Sequence, residues 1–218
     1  MKNPVRHTLP PLLLSFFLFI LSLITPLRLQ AQDNSGFNPY YFYLAKGELI
    51  QRSIALGDPS NWNINLSGRE GKSASGKVEV TPTDFKGNGD ALRITWSKKK
   101  VVGNLSLFGN TLDLSKFKDH VSLTIDMRVD VKPDKDVRVG MSCGYPCQAD
   151  LSINRMIKSM PKGEWFSLPL PLNCFKSDNF DLSKIVGPFT MSTDGKFTVS
   201  ITNIRLEKLQ EGEKGCAE

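Results

Sequence analysis

Three tryptophans, four charged residues on alternating segments and a close pair of cysteines are the places where this sequence could do chemistry. An indole face covers the apolar face of a pyranose ring, so Trp62, Trp96 and Trp165 are candidates for stacking on a sugar. Trp96 shares its phase with Leu92 and Ile94, however, which predicts core packing, because aromatic side chains dominate β-sandwich interiors. Trp165 is out of phase with Leu168 and Leu170 and is expected nearer the surface. Arg93, Asp126, Arg128 and Arg138 fall on the outward faces of predicted strands. There, carboxylates and guanidinium groups take paired sugar hydroxyls or, more plainly, one another in cross-strand ion pairs. Tyr145, between Cys143 and Cys147 and beside Pro146, offers a rim contact to a sugar or lies as a turn aromatic on the sandwich edge.

Catalytic patterns do not appear. Glycoside hydrolysis needs two carboxylates on either side of a bond, and no motif here pairs acidic residues in that way. His120 sits beside a turn, with no nucleophile elbow elsewhere in the chain. Asp84, Asn88 and Asp90, around Gly87 and Gly89, carry oxygen atoms that would suit a structural calcium. Their spacing is not that of a calcium loop, so a plain Gly-Asn-Gly-Asp turn is expected and no cofactor is called for. Lys98-Lys99-Lys100 reads as a solvated loop, with contact to an acidic polysaccharide or an anionic envelope surface as the other reading.

The N-terminus sets the compartment. Lys2 and Arg6 precede an apolar run from Leu12 to Ile24, and Leu29-Gln30-Ala31 puts a small residue at a cleavage position. Residues 1–31 therefore read as a signal peptide, with Gln32 as the mature terminus and an uncleaved anchor as the alternative. The expected location is secreted or periplasmic, with no membrane span after cleavage. Removing Lys2, Arg6 and Arg28 from the 28 basic residues leaves 25 against 22 acidic ones, so the formal charge drops from +6 to about +3. That balance, in that compartment, argues against nucleic acid. Four cysteines in an exported chain favour disulfides over zinc, since His120 is the single histidine left to complete a zinc site. Of the three full pairings, Cys143 with Cys147 is favoured because Gly144 and Pro146 make a tight turn. Cys147 with Cys174 is the second choice, and Cys216 is left open.

The elements that must position these residues are strands. Val121, Leu123, Ile125, Met127, Val129 and Val131 alternate with Ser122, Thr124, Asp126, Arg128 and Asp130, the signature of a half-buried strand. Val137, Val139, Met141 and Cys143 continue the pattern after a Lys132-Pro133-Asp134 turn, which predicts two neighbouring antiparallel strands. Phe166, Leu168, Leu170 and Leu172 share one phase. Phe197, Val199 and Ile201 share another, and Ile204 and Leu206 then slip by one, which predicts a bulge near Asn203. Asn154 to Met160 is the one helical stretch, stopped by Pro161. Leu112-Asp113-Leu114-Ser115 and Phe180-Asp181-Leu182-Ser183 echo each other as two similar turns. Many short strands between Gly, Pro, Asn and Asp indicate an all-β jelly-roll sandwich with at most one short helix. Residues 32–46 read as a lead-in, 47–208 as the sandwich domain and 209–218 as a flexible tail.

Several motifs narrow the fold to a family. These are Cys143-Gly144-Tyr145-Pro146-Cys147, Leu170-Pro171-Leu172-Asn173-Cys174-Phe175 and Gly187-Pro188-Phe189-Thr190-Met191-Ser192-Thr193, together with Trp62, Trp96-Ser97, Trp165 and the closing Ile204-Arg205-Leu206. In order and spacing they resemble the galactose-binding-like domain at the C-terminus of bacterial exo-β-glucanases of the ExoP type, where it follows a family-three glycoside hydrolase module. The resemblance spans roughly Gly47 to Leu206. It implies a galactose-binding-like jelly roll with an accessory, non-catalytic role: binding a polysaccharide such as β-glucan, or assisting a separate glycosidase. It carries no catalytic residues onto this chain. The competing expectation is an envelope structural or protein-interaction domain without sugar affinity.

Overall fold

Successive side chains of a strand point to opposite faces, so each alternating segment offers one apolar face that must be buried. In the computed structural model, which describes residues 36–216, fourteen strands bury those faces by forming two antiparallel sheets. The signal peptide expected over residues 1–31 lies outside the described residues. The main path of an eight-stranded sheet runs β12 (Trp165–Pro171), β9 (Val121–Val131), β14 (Phe197–Lys208), β7 (Ala91–Trp96), β6 (Val78–Thr83) and β5 (Gly71–Lys72). β1 (Phe42–Ala45) pairs with β14, and β2 (Glu48–Leu49) with β1. A six-stranded sheet runs β11 (Cys147–Ser152), β10 (Arg138–Gly144), β13 (Gly187–Thr193), β8 (Gly103–Gly109), β3 (Arg52–Asp58) and β4 (Asn61–Asn65).

The inner faces make one core. Leu123, Ile125, Met127, Val199 and Ile201 from the larger sheet join Leu105, Leu107, Val139, Phe189 and Met191 from the smaller one, all fully buried. The predicted bulge is present: the register of β14 on β9 shifts between Ile201 and Asn203, which returns Ile204 and Leu206 to the core. Among the described residues a single α-helix, α1 (Asn154–Ser159), falls where expected and turns Ile157 inward. The two echoing segments are short 3-10 turns, Ser115–Phe117 and Leu182–Lys184. In each, an aspartate accepts from the serine two residues on, Asp113 from Ser115 N at 3.0 Å and Asp181 from Ser183 N at 2.9 Å.

Four expectations need correction. β9 and β10 are not neighbours: β9 lies between β12 and β14 in one sheet, and β10 between β11 and β13 in the other. Their alternation reported which face is apolar, and both apolar faces do meet the core, but from opposite sides. The lead-in contains a strand, since β1 adds to β14 with Phe42 opposite Arg205 and Leu44 opposite Ile204. Cys174 bonds to Cys216 rather than to Cys147, with Cα atoms 5.1 Å apart, while Cys143 bonds to Cys147 as favoured. The tail is consequently tied at Cys216, whose N–H also donates to Asn173 Oδ1 at 3.1 Å.

Candidate functional site

The residues proposed for sugar contact separate into three places. Trp96 is fully buried, stacks on Phe197 with ring centroids 5.6 Å apart and donates its indole N–H to Gly103 O at 2.9 Å. It is a core residue and is removed from the candidate set. Arg93, Asp126, Arg128 and Trp165 gather on the outer face of the eight-stranded sheet. Arg138 and Tyr145 belong to the six-stranded sheet, Arg138 on its outer face and Tyr145 almost fully exposed in the hairpin between β10 and β11.

On the larger sheet the charges are matched to one another. Asp130 accepts from Arg128 Nε at 2.7 Å and from Ser200 Oγ at 2.5 Å, and pairs with Arg93 at 3.6 Å. Asp126 accepts from Ser167 Oγ at 2.6 Å, Asn203 Nδ2 at 2.7 Å and Arg205 Nη1 at 2.8 Å. Arg128 also covers the Trp165 ring at 5.1 Å. These are the ion pairs of the plainer reading, Arg128–Asp130 within β9 and Arg93–Asp130 and Arg205–Asp126 between strands, and they leave the two carboxylates well supplied with donors.

The outer face of the six-stranded sheet is built differently. Asn65, Ala55, Ser106, Thr190, Gly140 and Asp150 stand side by side across all six strands. Gly57, Asn104, Ser192, Arg138 and Ser152 form the adjoining row. Between Asn65 and Asp150 at its ends the first row carries only Ala, Ser, Thr and Gly side chains, a shallow trough running across the strands and flanked in the adjoining row by Asn104 and Arg138. At about 4.8 Å per strand interval it spans roughly 24 Å. Glycine is required at its floor: the space that a Cβ of Gly140 would fill is taken by Asp150 Oδ1, with Thr190 Oγ1 2.9 Å away. Trp62, on the edge strand β4, is 54 % exposed.

Two acceptors in this trough stand apart. Asp150 is half-buried, and its carboxylate accepts no hydrogen bond among the described residues. Burial pushes its carboxyl above the ordinary carboxylate range, with the Arg138 charge pulling the other way. Asn104 Oδ1 is buried, lies over Gly57 and has no hydrogen-bond partner among the described residues. A ligand rich in hydroxyl donors can supply Asp150, whose half-buried carboxylate is open to solvent, whereas Asn104 Oδ1 is closed off beneath the surface. Neither residue was singled out from the sequence. Asp150 alternates with buried Ala149 and so reads as outward, but its neighbours across the sheet are set by strand order alone.

Elsewhere the polar loops are self-satisfied. Asp84 accepts from Gly89 N at 2.7 Å, and Asp90 from Phe85 N at 2.7 Å and Lys86 N at 2.9 Å, so the Gly-Asn-Gly-Asp segment is a turn closed by its own amides. Among the described residues no group of three or more His, Cys, Asp or Glu side chains is placed to hold a metal.

The Exop_C family profile, described as galactose-binding domain-like, matches residues 53–206, from β3 to β14. The chain belongs to the Exop_C family. Its fold is the galactose-binding-like jelly roll. Among solved structures, this Exop_C chain is similar to the extra C-terminal domain of the exo-1,3/1,4-β-glucanase ExoP from a Pseudoalteromonas species. The TM-score is 0.65 at 18% identity, covering 82% of this chain and 99% of that one. It is also similar to the longer exo-1,3/1,4-β-glucanase chain from the same organism, with a TM-score of 0.63 at 18% identity over 82% of this chain, but it spans only 21% of that chain. The family 30 carbohydrate-binding module of a cellulosomal cellulase from Clostridium thermocellum gives a TM-score of 0.54 at 17% identity, covering 79% and 98% of the two chains. At such identities the likeness is one of fold. No curated protein matches the chain.

Proposed function

We propose that this Exop_C protein is an exported, non-catalytic carbohydrate-binding module that lays a glycan across the outer face of its six-stranded sheet. The observation that carries this reading is Asp150, a half-buried carboxylate without a protein donor, overhanging Gly140 beside Thr190 in a trough of small residues. Sugar hydroxyls supply the donors that the Asp150 carboxylate lacks. Arg138 supplies donors at one flank, and Trp62 an exposed ring at the other edge. The two central rows carry one carboxylate, where glycoside hydrolysis needs two, which supports binding without cleavage. The solved structures of similar fold include a domain of a β-glucanase and a carbohydrate-binding module, so β-glucans are the first ligands to test. Export is supported by the leader pattern of residues 1–31 and by two disulfides.

Affinity gel electrophoresis against a panel of soluble β-glucans tests the reading. Retardation of the wild type is expected, and the Asp150→Asn variant should bind at least about tenfold more weakly. Because its pKa is raised, Asp150 loses its charge at a higher pH than an ordinary carboxylate. Wild-type affinity should therefore weaken as acid protonates it, while Asp150→Asn stays level over that range. Migration unaffected by every polysaccharide, or full binding by a folded Asp150→Asn, Trp62→Ala double variant, would overturn the proposal.

A further inference from the structure

The outer face of the eight-stranded sheet carries a second cleft, of about 350 Å³, beside the bulge at Asn203. Asn203 shapes it, accepting Lys46 N–H at 2.9 Å on one side and donating to Asp126 at 2.7 Å on the other. Phe37, Phe42 and Phe85 line it. Phe37 packs on Phe42 at 5.0 Å, and Phe85, 37 % exposed, meets Trp165 edge to face at 4.8 Å. The acidic side chains are already supplied with donors: Asp126 by Ser167, Asn203 and Arg205, and Asp90 by the amides of Phe85 and Lys86. The basic ones are not matched in the same way. The ammonium groups of Lys46 and Lys86 lie over the Phe37 and Phe85 rings, at 5.9 Å and 5.2 Å, and pair with no carboxylate among the described residues.

A cleft with ring faces for apolar C–H surface, and cations that lack an anion, is complementary to a sugar that carries negative charge. We propose that this cleft binds an anionic sugar ring, bearing a carboxylate or a sulfate, through Phe37 and Phe85 with Lys46 and Lys86 supplying the charge. The site lies on the sheet opposite the trough and stands independently of it. A neutral glycan would leave both ammonium groups unmatched, which is the basis of selectivity.

Titration calorimetry of the full mature chain with trigalacturonate, a sulfated trisaccharide and neutral laminaritriose, at low and at physiological ionic strength, tests the proposal. Any laminaritriose binding, which belongs to the trough, should be insensitive to salt and to the lysine variants, whereas at least one anionic trisaccharide should bind and weaken with salt. Each of Lys46→Gln and Lys86→Gln should cost it roughly two- to fivefold, while Asp150→Asn should leave it unchanged. Comparison of the two anionic arms tells carboxylate from sulfate. No salt-sensitive binding by either anionic trisaccharide, indifference of that binding to the double lysine variant, or its loss in Asp150→Asn would each overturn it. The last result would assign the ligand to the trough instead.

Discussion

Lys77 is fully buried, and the three N–H donors of its ammonium are shared among four backbone carbonyls within reach: Ser97 at 2.8 Å, Lys99 at 2.7 Å, Asp194 at 2.9 Å and Gly195 at 2.9 Å. It thereby joins the loop after β7 to the β13–β14 turn. Nothing in the sequence marks it, because a single lysine before a valine strand reads as surface. Lys77→Met keeps the apolar stem but strands the four carbonyls, so a loss of about 3 kcal/mol is expected. In thermal unfolding that is a Tm lower by roughly 10 °C; a Tm within error of the wild type would refute it. Asp58 is the acidic counterpart, fully buried and accepting from Ser60 N at 2.9 Å, Ser75 N at 2.8 Å and Ser75 Oγ at 2.8 Å. Burial works against its charge, but these donors and Ser73 outweigh it and hold its carboxyl well below the ordinary range. A depressed pKa stabilises the fold at every pH above the unfolded value, near 4, and that contribution fades as pH falls below it. Unfolding midpoints measured from neutral to acid pH should therefore drop below about pH 4, and Asp58→Asn should start lower and fall less.

Cross-links and strand order act at the scale of elements. The Cys174–Cys216 bond closes a segment with a sequence separation of 42, and Cys143–Cys147 one with a separation of 4. Loop-closure entropy predicts about 4 kcal/mol for the first and about 2 kcal/mol for the second. Replacing Cys174 and Cys216 together by alanine should thus destabilise the protein more than replacing Cys143 and Cys147, as read by urea denaturation; the reverse order would mean that native-state packing outweighs chain entropy. The hairpin pair was legible because Gly144 and Pro146 make a local turn. Cys174 with Cys216 was not, because the path of the tail past Asn173 is a tertiary fact. The same limit explains β9 and β10. A period of two states which side of a strand is apolar, and the short link from Val131 to Arg138 suggested a hairpin, yet the chain crosses there from one sheet to the other.

At the scale of the whole molecule, the trough and the cleft belong to opposite sheets, so neutral and anionic saccharides should bind without competing. Saturation with a β-glucan should leave the trigalacturonate titration unchanged, and mutual displacement would reduce the two sites to one. Export makes its own prediction: protein recovered from the periplasm or medium should begin at Gln32 and show no free thiols, and retained leader residues or titratable cysteines would count against it. From sequence alone, alternation and turn residues were enough to establish an all-β jelly roll, a short helix near Asn154–Ser159 and the bulge near Asn203, because burial along a strand or helix is periodic and local, whereas Trp96 left the set of sugar-contact candidates only once the structure buried it. The motifs around Cys143, Cys174 and Pro188 pointed to the family. What only the tertiary structure decided is which residues share a face. Arg93, Asp126, Arg128 and Trp165 come together through the order β12-β9-β14-β7, whereas Asp150 meets Thr190 across Gly140 through β11-β10-β13. Strand order depends on how distant segments pair, and no periodicity within a segment encodes its partner.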